Sequence, residues 1–331
     1  MKVLRLHGES DIRFSEEALP IPREGEELLR VSTVGICGSD LHWFTEGGIG
    51  YARIIQPLVL GHEFSALTQD GKLVAVDPAI PCGRCEFCSR GDPNLCPDIL
   101  FAGHGIVDGA LREYVAWDKR FIHLLPDTIT DEEGAMLEPL GVAIHAVDLA
   151  HIKPGMTVGV FGCGPIGLLI AQVARLAGAV KVIATDILPH RVEAALSLGV
   201  DQAWLVEERL PEAAALEATG GRGVDIAFEA AGVQGAVDDA FSAVSVGGKV
   251  ILAGIPDDDQ TSFTASIARR KGLTIKLVRR MKLTYPRAIE MVARRQVDVK
   301  SLVTHRFPLS QTWDAFETAS RRDGLKVVIR I

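Results

Sequence analysis

The sequence has 331 residues and a mass of 35.6 kDa, and its 43 acidic and 35 basic residues give a formal net charge of −8 at pH 7. This length predicts two domains, because a single hydrophobic core rarely grows beyond about 250–300 residues. The negative charge excludes a general attraction to nucleic acid or to anionic lipid. The first residues, MKVLRLHGESDIRF, lack the apolar core of a signal peptide, and no segment keeps 18 apolar residues in a row. We therefore expect a cytoplasmic protein without a membrane partner.

The first 140 residues contain short apolar runs that are interrupted by Gly, Pro and Asp, among them LLRVSTVG, KLVAVDPAI and REYVAWD. Runs of this length with turn residues between them are typical of antiparallel β-strands. The pattern predicts a mainly β, partly barrel-like domain over residues 1–140.

Residues that can bind a metal are scattered through this domain in GICGSDLH (35–42), GHEF (61–64) and LEPLGVAIHA (137–146). They offer one thiolate, Cys37, one imidazole, His62, and the carboxylates of Glu63 and Glu138. A zinc site with few thiolates keeps a position open for substrate. Spacing alone does not establish such a site, because a single Cys or His is more often an ordinary buried residue, and Glu138 before Pro139 also suits a helix end.

Four of the six cysteines lie in PCGRCEFCSRGDPNLCP (81–97), with the spacing C-x2-C-x2-C-x7-C. In a reducing compartment, clustered cysteines indicate a metal rather than disulfides. Four thiolates fill the coordination sphere of zinc and leave no position for substrate, so the cluster predicts a structural zinc site. Metal-free thiols and an iron–sulfur cluster are the alternatives. The predicted ligands are Cys82, Cys85, Cys88 and Cys96.

From about residue 141, apolar runs alternate with helical segments. The strand TVGVFG (157–162) precedes the helix PIGLLIAQVARLAGA, and the strand KVIATD (181–186) precedes the helix PHRVEAALSLG. Further strands are predicted at AWLV, VDIAFEA, KVILAG and LTIKLV. Six strands alternating with helices predict an α/β fold with a doubly wound parallel sheet of the Rossmann type.

The segment GCGPIG (162–167) fits G-x-G-x-x-G, which binds a dinucleotide when it joins a strand to a helix. Gly162 permits the tight turn, Gly164 lets the backbone approach a pyrophosphate, and Gly167 allows close packing of the helix. Pro165 suits the first helical turn. Asp186 ends the next strand, where a carboxylate accepts hydrogen bonds from ribose and repels a 2′-phosphate. These residues predict NAD; the alternative is a Rossmann-type sheet that binds no dinucleotide.

Residues 269–295 carry ten Lys and Arg residues against one acid, Glu290. A solvated or subunit-facing basic surface is the simpler interpretation, and a polyanion site is the alternative. A zinc-dependent nucleic-acid binder would use this segment together with the cysteine lobe as a finger. The net charge of −8 and the dinucleotide motif weigh against that hypothesis.

The motifs GICGSDLHW, PLVLGHE, LEPLGVAIHA, GCGPIG and TDILPHR occur in the order and at the spacings of one family. By these motifs, nearly the whole chain resembles the zinc-containing medium-chain dehydrogenases/reductases, and it is most similar to their sorbitol (polyol) dehydrogenase branch. The resemblance implies a GroES-like catalytic zinc domain at 1–140 with its structural-zinc lobe at 81–97. It further implies an NAD-binding Rossmann domain at 141–276 and a C-terminal return to the catalytic domain at 277–331.

The resemblance also implies roles for single residues. Cys37, His62 and Glu63 match ligands of the catalytic zinc, and Glu138 matches a carboxylate that binds this metal directly or through water. Ser39 and His42 match positions of the family's proton relay. Arg279 matches a residue that orients Glu138 or a substrate hydroxyl.

Cofactor contacts of the family match Ile166, Asp186 and Arg191, and the nicotinamide half of the cleft matches LAGI (252–255) and LVR (277–279). The full cofactor-binding set is Gly162, Gly164, Pro165, Ile166, Gly167, Asp186, Arg191, Ala253, Gly254, Ile255, Leu277, Val278 and Arg279. Two substrate-facing positions depart from the polyol pattern: Trp43 stands in place of Tyr, and Arg280 follows Arg279 in place of Tyr.

The resemblance implies an enzyme with two zinc ions per chain that oxidises a secondary alcohol of a polyol or sugar to a ketone and transfers hydride to NAD. An L-threonine 3-dehydrogenase-like enzyme or a sugar-acid dehydrogenase is the alternative activity, and a non-catalytic relative that binds NAD is a further one. The family also implies a homo-oligomer, either a tetramer or a dimer. The identity of the alcohol stays open.

Overall fold

The computed structural model describes residues 1–331 and divides into two compact units. The first unit contains Met1–Glu138 and Lys282–Ile331, and the second contains Pro139–Met281. The borders predicted from the sequence, after residues 140 and 276, differ from these by two and five residues. At the second border the backbone beyond the predicted end stays tied to the sheet, because Val278 N donates to the carbonyl of Leu252 at 2.8 Å. The functional roles expected of these parts stay predictions.

The N-terminal part of the first unit is mainly β. Its strands are β1 (Lys2–Gly8), β2 (Asp11–Glu16), β3 (Glu26–Gly35), β4 (Gly48–Ile49), β5 (Ala52–Arg53), β6 (Glu63–Leu67), β7 (Leu73–Val76), β8 (Ala79–Ile80), β9 (Leu100–Phe101), β10 (Tyr114–Asp118) and β11 (Ile122–Leu124). Its helices are α1 (Gly38–Glu46), α2 (Glu86–Ser89) and α3 (Asp131–Ala135).

The second unit alternates strands with helices after α4 (Leu137–Ala150), which begins at the border. Its strands are β12 (Thr157–Phe161), β13 (Lys181–Asp186), β14 (Gln202–Leu205), β15 (Val224–Glu229), β16 (Val244–Leu252) and β17 (Thr274–Leu277). Its further helices are α5 (Pro165–Leu176), α6 (Pro189–Ser197), α7 (Pro211–Ala218), α8 (Gln234–Ala243) and α9 (Ala265–Lys271). The chain completes the first unit with α10 (Tyr285–Ala293), β18 (Val303–Pro308), α11 (Thr312–Arg321) and β19 (Lys326–Arg330).

The main sheet of the first unit has the strand order β11-β7-β6-β3-β19-β18, and β10 also pairs with β3. Its pairs are antiparallel, as expected, except for β18 with β19, which are parallel. A parallel pair needs a crossover connection, and α11 supplies it. In register, Gly35 at the end of β3 lies opposite Glu63 of β6 and opposite Val328 of β19. The start of β6, the end of β3 and the start of β19 therefore meet at one edge of this sheet.

The core of the first unit is built from apolar side chains of its strands together with one face of α1 and one face of α11. Trp43 and Phe44 of α1 are buried, and Phe44 packs against Phe316 of α11 with ring centroids 4.9 Å apart. This packing fixes α1, and with it the residue that precedes the helix, Cys37.

The second unit contains a six-stranded sheet in the order β14-β13-β12-β15-β16-β17, and every pair in it is parallel. This is the Rossmann strand order: β13 and β14 are added on one side of β12, and β15, β16 and β17 on the other. The six predicted strands and the α/β fold class are confirmed. Every residue of the central strand β12 is buried, which explains its continuous apolar run.

The longest helix of the chain, α4, has 14 residues. A helix that crosses a membrane needs about 20 apolar residues, and none of the helices here is long and apolar enough to do so.

Candidate functional site

The four clustered cysteines converge in the first unit. The sulfur atoms of Cys82, Cys85, Cys88 and Cys96 all lie within 4.8 Å of one another. None of these residues forms a disulfide, and Cys85 precedes the short helix α2 as its N-cap. Four sulfur atoms at this separation match the donor set of a tetrahedral zinc ion.

The electrostatics of this cluster favour a cation. Backbone N–H groups of Arg84 and Cys85 lower the pKa of Cys82 to about 7. Desolvation raises the pKa of Cys88 to about 12, and its hydrogen bond to Cys85 adds to the rise. One thiolate therefore forms readily, whereas a second one close to it is disfavoured. A bound divalent cation would offset the free-energy cost of bringing these negative charges together.

A second group of potential ligands gathers at the edge of the main sheet in the same unit. The ligand atoms of Cys37, His62 and Glu63 lie within 4.8 Å of one another. Cys37 follows β3 and caps α1, His62 immediately precedes β6, and Glu63 is the first residue of β6. His62 and Glu63 are almost fully buried, whereas Cys37 is half-buried. One thiolate, one imidazole and one carboxylate make a three-residue donor set that leaves a fourth position open.

Asp40 holds two of these ligands in place. Its Oδ2 accepts a hydrogen bond from the backbone N–H of Cys37 at 3.0 Å, and its Oδ1 lies 3.4 Å from Nδ1 of His62. Oδ1 also accepts the N–H of Gly61 at 3.2 Å. A carboxylate on Nδ1 orients the ring so that Nε2 is available to a metal. Asp40 is 1% exposed, so this arrangement is shielded from water.

The charges around His62 favour a cation at this position. Burial alone would lower the pKa of His62, but the charges of Asp40 and Cys37 raise it well above its ordinary value. Burial likewise would raise the pKa of Asp40, and the charge of His62 lowers it. A site that attracts a proton this strongly also suits a divalent cation, which competes for the same donors.

Lys326, at the start of β19, forms a buried ion pair with Glu63. Its Nζ lies 2.8 Å from Oε1 and 2.6 Å from Oε2 of Glu63 and donates a third hydrogen bond to the carbonyl of Ile36 at 3.1 Å. Burial alone would lower the pKa of Lys326, but the charge of Glu63 raises it. The carboxylate of Glu63 therefore pairs with this ammonium and also offers an oxygen atom to the group formed with Cys37 and His62.

Glu138 is buried near the border of the first unit and does not join the group of mutually close ligand atoms. Burial raises the pKa of Glu138 to about 8; the charge of His62 opposes the rise, and that of Glu63 adds to it. Of the two glutamates that the sequence left open as ligands, Glu63 is the one that lies among the ligand atoms of Cys37 and His62.

The dinucleotide motif has its expected local structure in the second unit. Gly162 follows β12 with φ of +104°, a left-handed conformation that favours glycine. Gly164 is the N-cap of α5 and Pro165 is its first residue. A side chain at Gly167 would collide with the carbonyl oxygen of Gly162. The turn at Gly162, the helix start at Gly164 and the close packing at Gly167 are the features of a backbone that can bind a pyrophosphate at the N-terminus of α5.

Asp186 ends β13 and is buried. Its Oδ2 accepts the N–H of Cys163 at 2.7 Å, and its Oδ1 accepts the N–H of Leu188 at 2.9 Å. Arg191 of α6 places one guanidinium nitrogen 4.0 Å from Oδ2. The carboxylate is thereby fixed at the carboxyl end of the sheet, with Ile166 half-buried on the first turn of α5.

The remaining predicted residues differ in exposure. Ser39 and His42 lie on α1, and Nδ1 of His42 is 3.0 Å from Glu46. Trp43 is 1% exposed in the core, and its ring is T-shaped to that of His104 with centroids 5.3 Å apart. Its contact with substrate stays a prediction. In the second unit, Ala253 and Gly254 are half-buried and Ile255 is exposed. Leu277, the last residue of β17, and Arg279 are exposed, whereas Val278 and Arg280 are half-buried.

Asp40 and Lys326 belong to the site but were not predicted from the sequence. Asp40 carried a detectable signal, since it lies three residues after the N-cap Cys37, where an acidic side chain reaches back to the cap. Lys326 carried none, because it is 263 residues from Glu63 and lies in an ordinary apolar strand.

Comparisons with known proteins cover the whole chain. The family described as "Alcohol dehydrogenase GroES-like domain" matches residues 23–127, and "Zinc-binding dehydrogenase" matches residues 165–294. The sorbitol dehydrogenase of Bacillus subtilis (strain 168) is 38% identical over 343 residues, which cover 99% of this chain and 97% of that protein.

Two solved structures from Escherichia coli are similar along the full chain. An oxidoreductase/dehydrogenase of unknown specificity has a TM-score of 0.94 and 32% identity, covering 100% of this chain and 99% of that one. Galactitol-1-phosphate dehydrogenase has a TM-score of 0.90 and 27% identity, with 100% of both chains covered. These similarities confirm the expected enzyme class with zinc and a nicotinamide dinucleotide as cofactors. The chain therefore belongs to the zinc-binding medium-chain dehydrogenases and is sorbitol dehydrogenase-like.

Proposed function

We propose that this protein oxidises a secondary hydroxyl group of a polyol or sugar to a ketone and transfers the hydride to NAD. The observation that carries the proposal is the convergence of Cys37, His62 and Glu63 within 4.8 Å of one another, with a donor set that leaves one position open. Zinc in such a site supplies a Lewis acid that polarises a substrate oxygen. The relatives named sorbitol dehydrogenase support a polyhydroxylated substrate.

In this proposal, Cys37, His62 and Glu63 hold the catalytic zinc, and Asp40 orients the imidazole. Lys326 partly neutralises the negative charge of Glu63, so that the thiolate of Cys37 is the main anion at the site. The structural zinc is held by Cys82, Cys85, Cys88 and Cys96, which have no open position for substrate.

Proton release is assigned to groups of the first unit. Burial raises the pKa of Glu138 to about 8 in the metal-free protein, and zinc at Cys37, His62 and Glu63 would lower it. Glu138 is one proposed acceptor of the proton. Ser39 and His42 form the other predicted route, and the pairing of His42 with Glu46 gives the imidazole an acceptor for its proton. Replacing Glu138 by Gln and His42 by Ala separately would show which route limits turnover.

NAD is proposed as the hydride acceptor because Asp186 places a fixed carboxylate at the end of β13. That carboxylate can accept a hydrogen bond from a ribose hydroxyl, and it repels the 2′-phosphate of NADP. The backbone of Gly162–Gly164 and the N-terminus of α5 provide the pyrophosphate position.

The competing substrate class is an acid such as a sugar acid or L-threonine. The adjacent residues Arg279 and Arg280 favour it, because two guanidinium groups can pair with a carboxylate. The neutral polyol is preferred, since Arg279 already belongs to the polyol pattern.

The experiment that tests the proposed function measures NADH formation by the zinc-loaded protein with polyols, sugars, sugar acids, L-threonine and simple secondary alcohols. The proposal predicts the highest kcat/KM for a polyol or sugar, with little change in Arg280→Ala. A large preference for a carboxylate substrate that is lost in Arg280→Ala would replace the polyol by an acid. Cytoplasmic location and a homo-oligomeric assembly stay predictions, and light scattering with size-exclusion chromatography tests the second.

A further inference from the structure

Glu229, the last residue of β15, is a buried carboxylate to which neither the sequence motifs nor the proposed reaction gives a role. It is 2% exposed. Its Oε1 accepts the backbone N–H groups of Ala231 at 2.7 Å and Gly232 at 2.6 Å, and its Oε2 accepts the N–H of Gly254 at 3.2 Å. Its main-chain carbonyl accepts the N–H of Ala253 at 2.8 Å. One residue thus binds the loop that follows its own strand and the loop that follows β16.

The loop after β15 also contacts the dinucleotide motif, and the loop after β16 packs on the loop after β15. A side chain at Gly162 would lie 2.8 Å from the nitrogen of Ala231, so the loop after β15 packs directly on the glycine turn. A side chain at Gly254 would lie 2.6 Å from Oε2 of Glu229 and would collide with the nitrogen of Gly232. The three loops pack backbone to backbone at the carboxyl ends of β12, β15 and β16. In doubly wound sheets, the dinucleotide binds across these strand ends.

We propose that Glu229 is a positioning residue for the dinucleotide, because its carboxylate fixes the backbone of residues 231–232 and 253–254. This inference rests on the proposed binding of NAD to the second unit. Burial raises the pKa of Glu229, and the N–H groups of Gly232, Ala231 and Gly254 oppose that rise. The N–H donors come from two loops, one loop on each oxygen of the side chain, so both of these atoms must be hydrogen-bond acceptors. A carboxylate meets that need, whereas an amide of the same size presents an NH2 group to one loop.

The chain offers a matched control on the same strand. Asp225 lies near the start of β15, and its Oδ2 accepts the backbone N–H of Thr157 at 2.7 Å and the hydroxyl of Thr157 at 2.8 Å. It joins β15 to β12 at the opposite edge of the sheet from the dinucleotide motif. Asp225→Asn therefore removes a carboxylate from the same strand, together with its ion pair to Arg222, without touching the three loops.

The test measures the dissociation constant of NADH by fluorescence titration, together with thermal stability, for the wild type, Glu229→Gln and Asp225→Asn. Because the hydrogen bonds of Glu229 are present with and without NADH, their loss weakens NADH binding only through the displaced loops, by roughly tenfold, or about 1.4 kcal/mol. We expect a loss of this size in Glu229→Gln and a change below about twofold in Asp225→Asn, even where both variants have a lower melting temperature.

Hydrogen exchange provides a readout that needs no cofactor. In Glu229→Gln, the amides of Ala231, Gly232 and Gly254 should exchange faster, while those of Thr157 and Val158 keep their protection. If Glu229→Gln does not fold, Glu229→Asp keeps the charge but draws the carboxylate back from the N–H groups of the two loops, and it should weaken NADH binding in the same way.

Equal affinity for NADH in the wild type and a folded Glu229→Gln would overturn the inference alone. An equal loss in Glu229→Gln and Asp225→Asn would also overturn it, because it would show general destabilisation. Absence of NADH binding by the wild type would overturn the proposed function as well.

Discussion

The ammonium group of Lys326 lies 2.8 and 2.6 Å from the two oxygens of Glu63, in a pair whose side chains are 4% and 1% exposed. Breaking a buried ion pair leaves one uncompensated charge in a medium of low dielectric constant. Zinc beside Glu63 would offset that charge in place of the ammonium. The pair therefore links the stability of the first unit to occupation of the metal site.

The first prediction is that Lys326→Met destabilises the metal-free protein more than the zinc-loaded one. Loss of one partner of a buried pair costs about 3–5 kcal/mol, and a divalent cation next to Glu63 recovers part of this cost. Melting temperatures with and without a chelator measure both states.

Lys326→Arg keeps the charge and serves as the control, and Glu63→Gln combined with Lys326→Met should be more stable than Lys326→Met alone when metal is absent. If Lys326→Met lowers the melting temperature equally with and without zinc, Glu63 does not interact with the metal.

The second prediction is that the two zinc ions differ in lability. The site of Cys37 has one thiolate and an open position, whereas the cysteine cluster has four thiolates and none. A chelator should therefore remove the catalytic zinc first and abolish turnover while the fold persists.

Variants separate the two roles. Cys37→Ser should reduce turnover with a small change in melting temperature, and Cys85→Ser should mainly lower the melting temperature. Metal analysis that finds one zinc per chain, or equal losses of stability in both variants, contradicts the division.

The third prediction concerns cofactor choice. Asp186→Ala should weaken NAD binding by roughly 10- to 100-fold, because it removes a charged acceptor, and it should reduce discrimination against NADP because it removes a repulsive charge. Dissociation constants for both dinucleotides measure the effect. A wild-type protein that prefers NADP would show that the role given to Asp186 is wrong.

The fourth prediction is a pH dependence of stability at Asp77. Burial raises the pKa of Asp77 from 3.8 to about 6, and the N–H of Ala79 opposes the rise. Between about pH 4 and pH 6 the folded protein holds a proton that the unfolded chain has released. Stability therefore falls as the pH rises through this window, by about 3 kcal/mol at most.

Asp77→Asn removes the buried charge and keeps an acceptor for Ala79. Its melting temperature should exceed that of the wild type at pH 8, and the difference should shrink at pH 5. A difference that stays constant across this range would contradict the assignment.

The sequence predicted the parts of the protein that depend on local pattern. The six strands of the second unit were recognisable because each is a short apolar run before a helix, and a parallel sheet follows from that alternation. The four cysteines lie within fifteen positions, so their convergence required no knowledge of the fold.

Features that depend on strand order were not predictable in this way. Lys326 reaches Glu63 only because β19 and β6 both flank β3, and nothing near Lys326 in the sequence indicates this arrangement. The burial of Trp43 beside Phe44 was not predicted either, although an apolar pair on a short amphipathic helix commonly packs into the core. Its contact with substrate stays a prediction.

In the proposed reaction, zinc at Cys37, His62 and Glu63 enables the transfer of hydride from a polyol to NAD. The rate of NADH formation with a panel of polyols, measured for the protein as purified, after chelation and after zinc is restored, tests this role of the metal. We predict polyol-dependent NADH formation that disappears on chelation, returns with zinc and is absent in Cys37→Ser. NADH formation that survives both chelation and Cys37→Ser, or its absence with every polyol in the zinc-loaded protein, would show that zinc at Cys37 does not carry out this reaction.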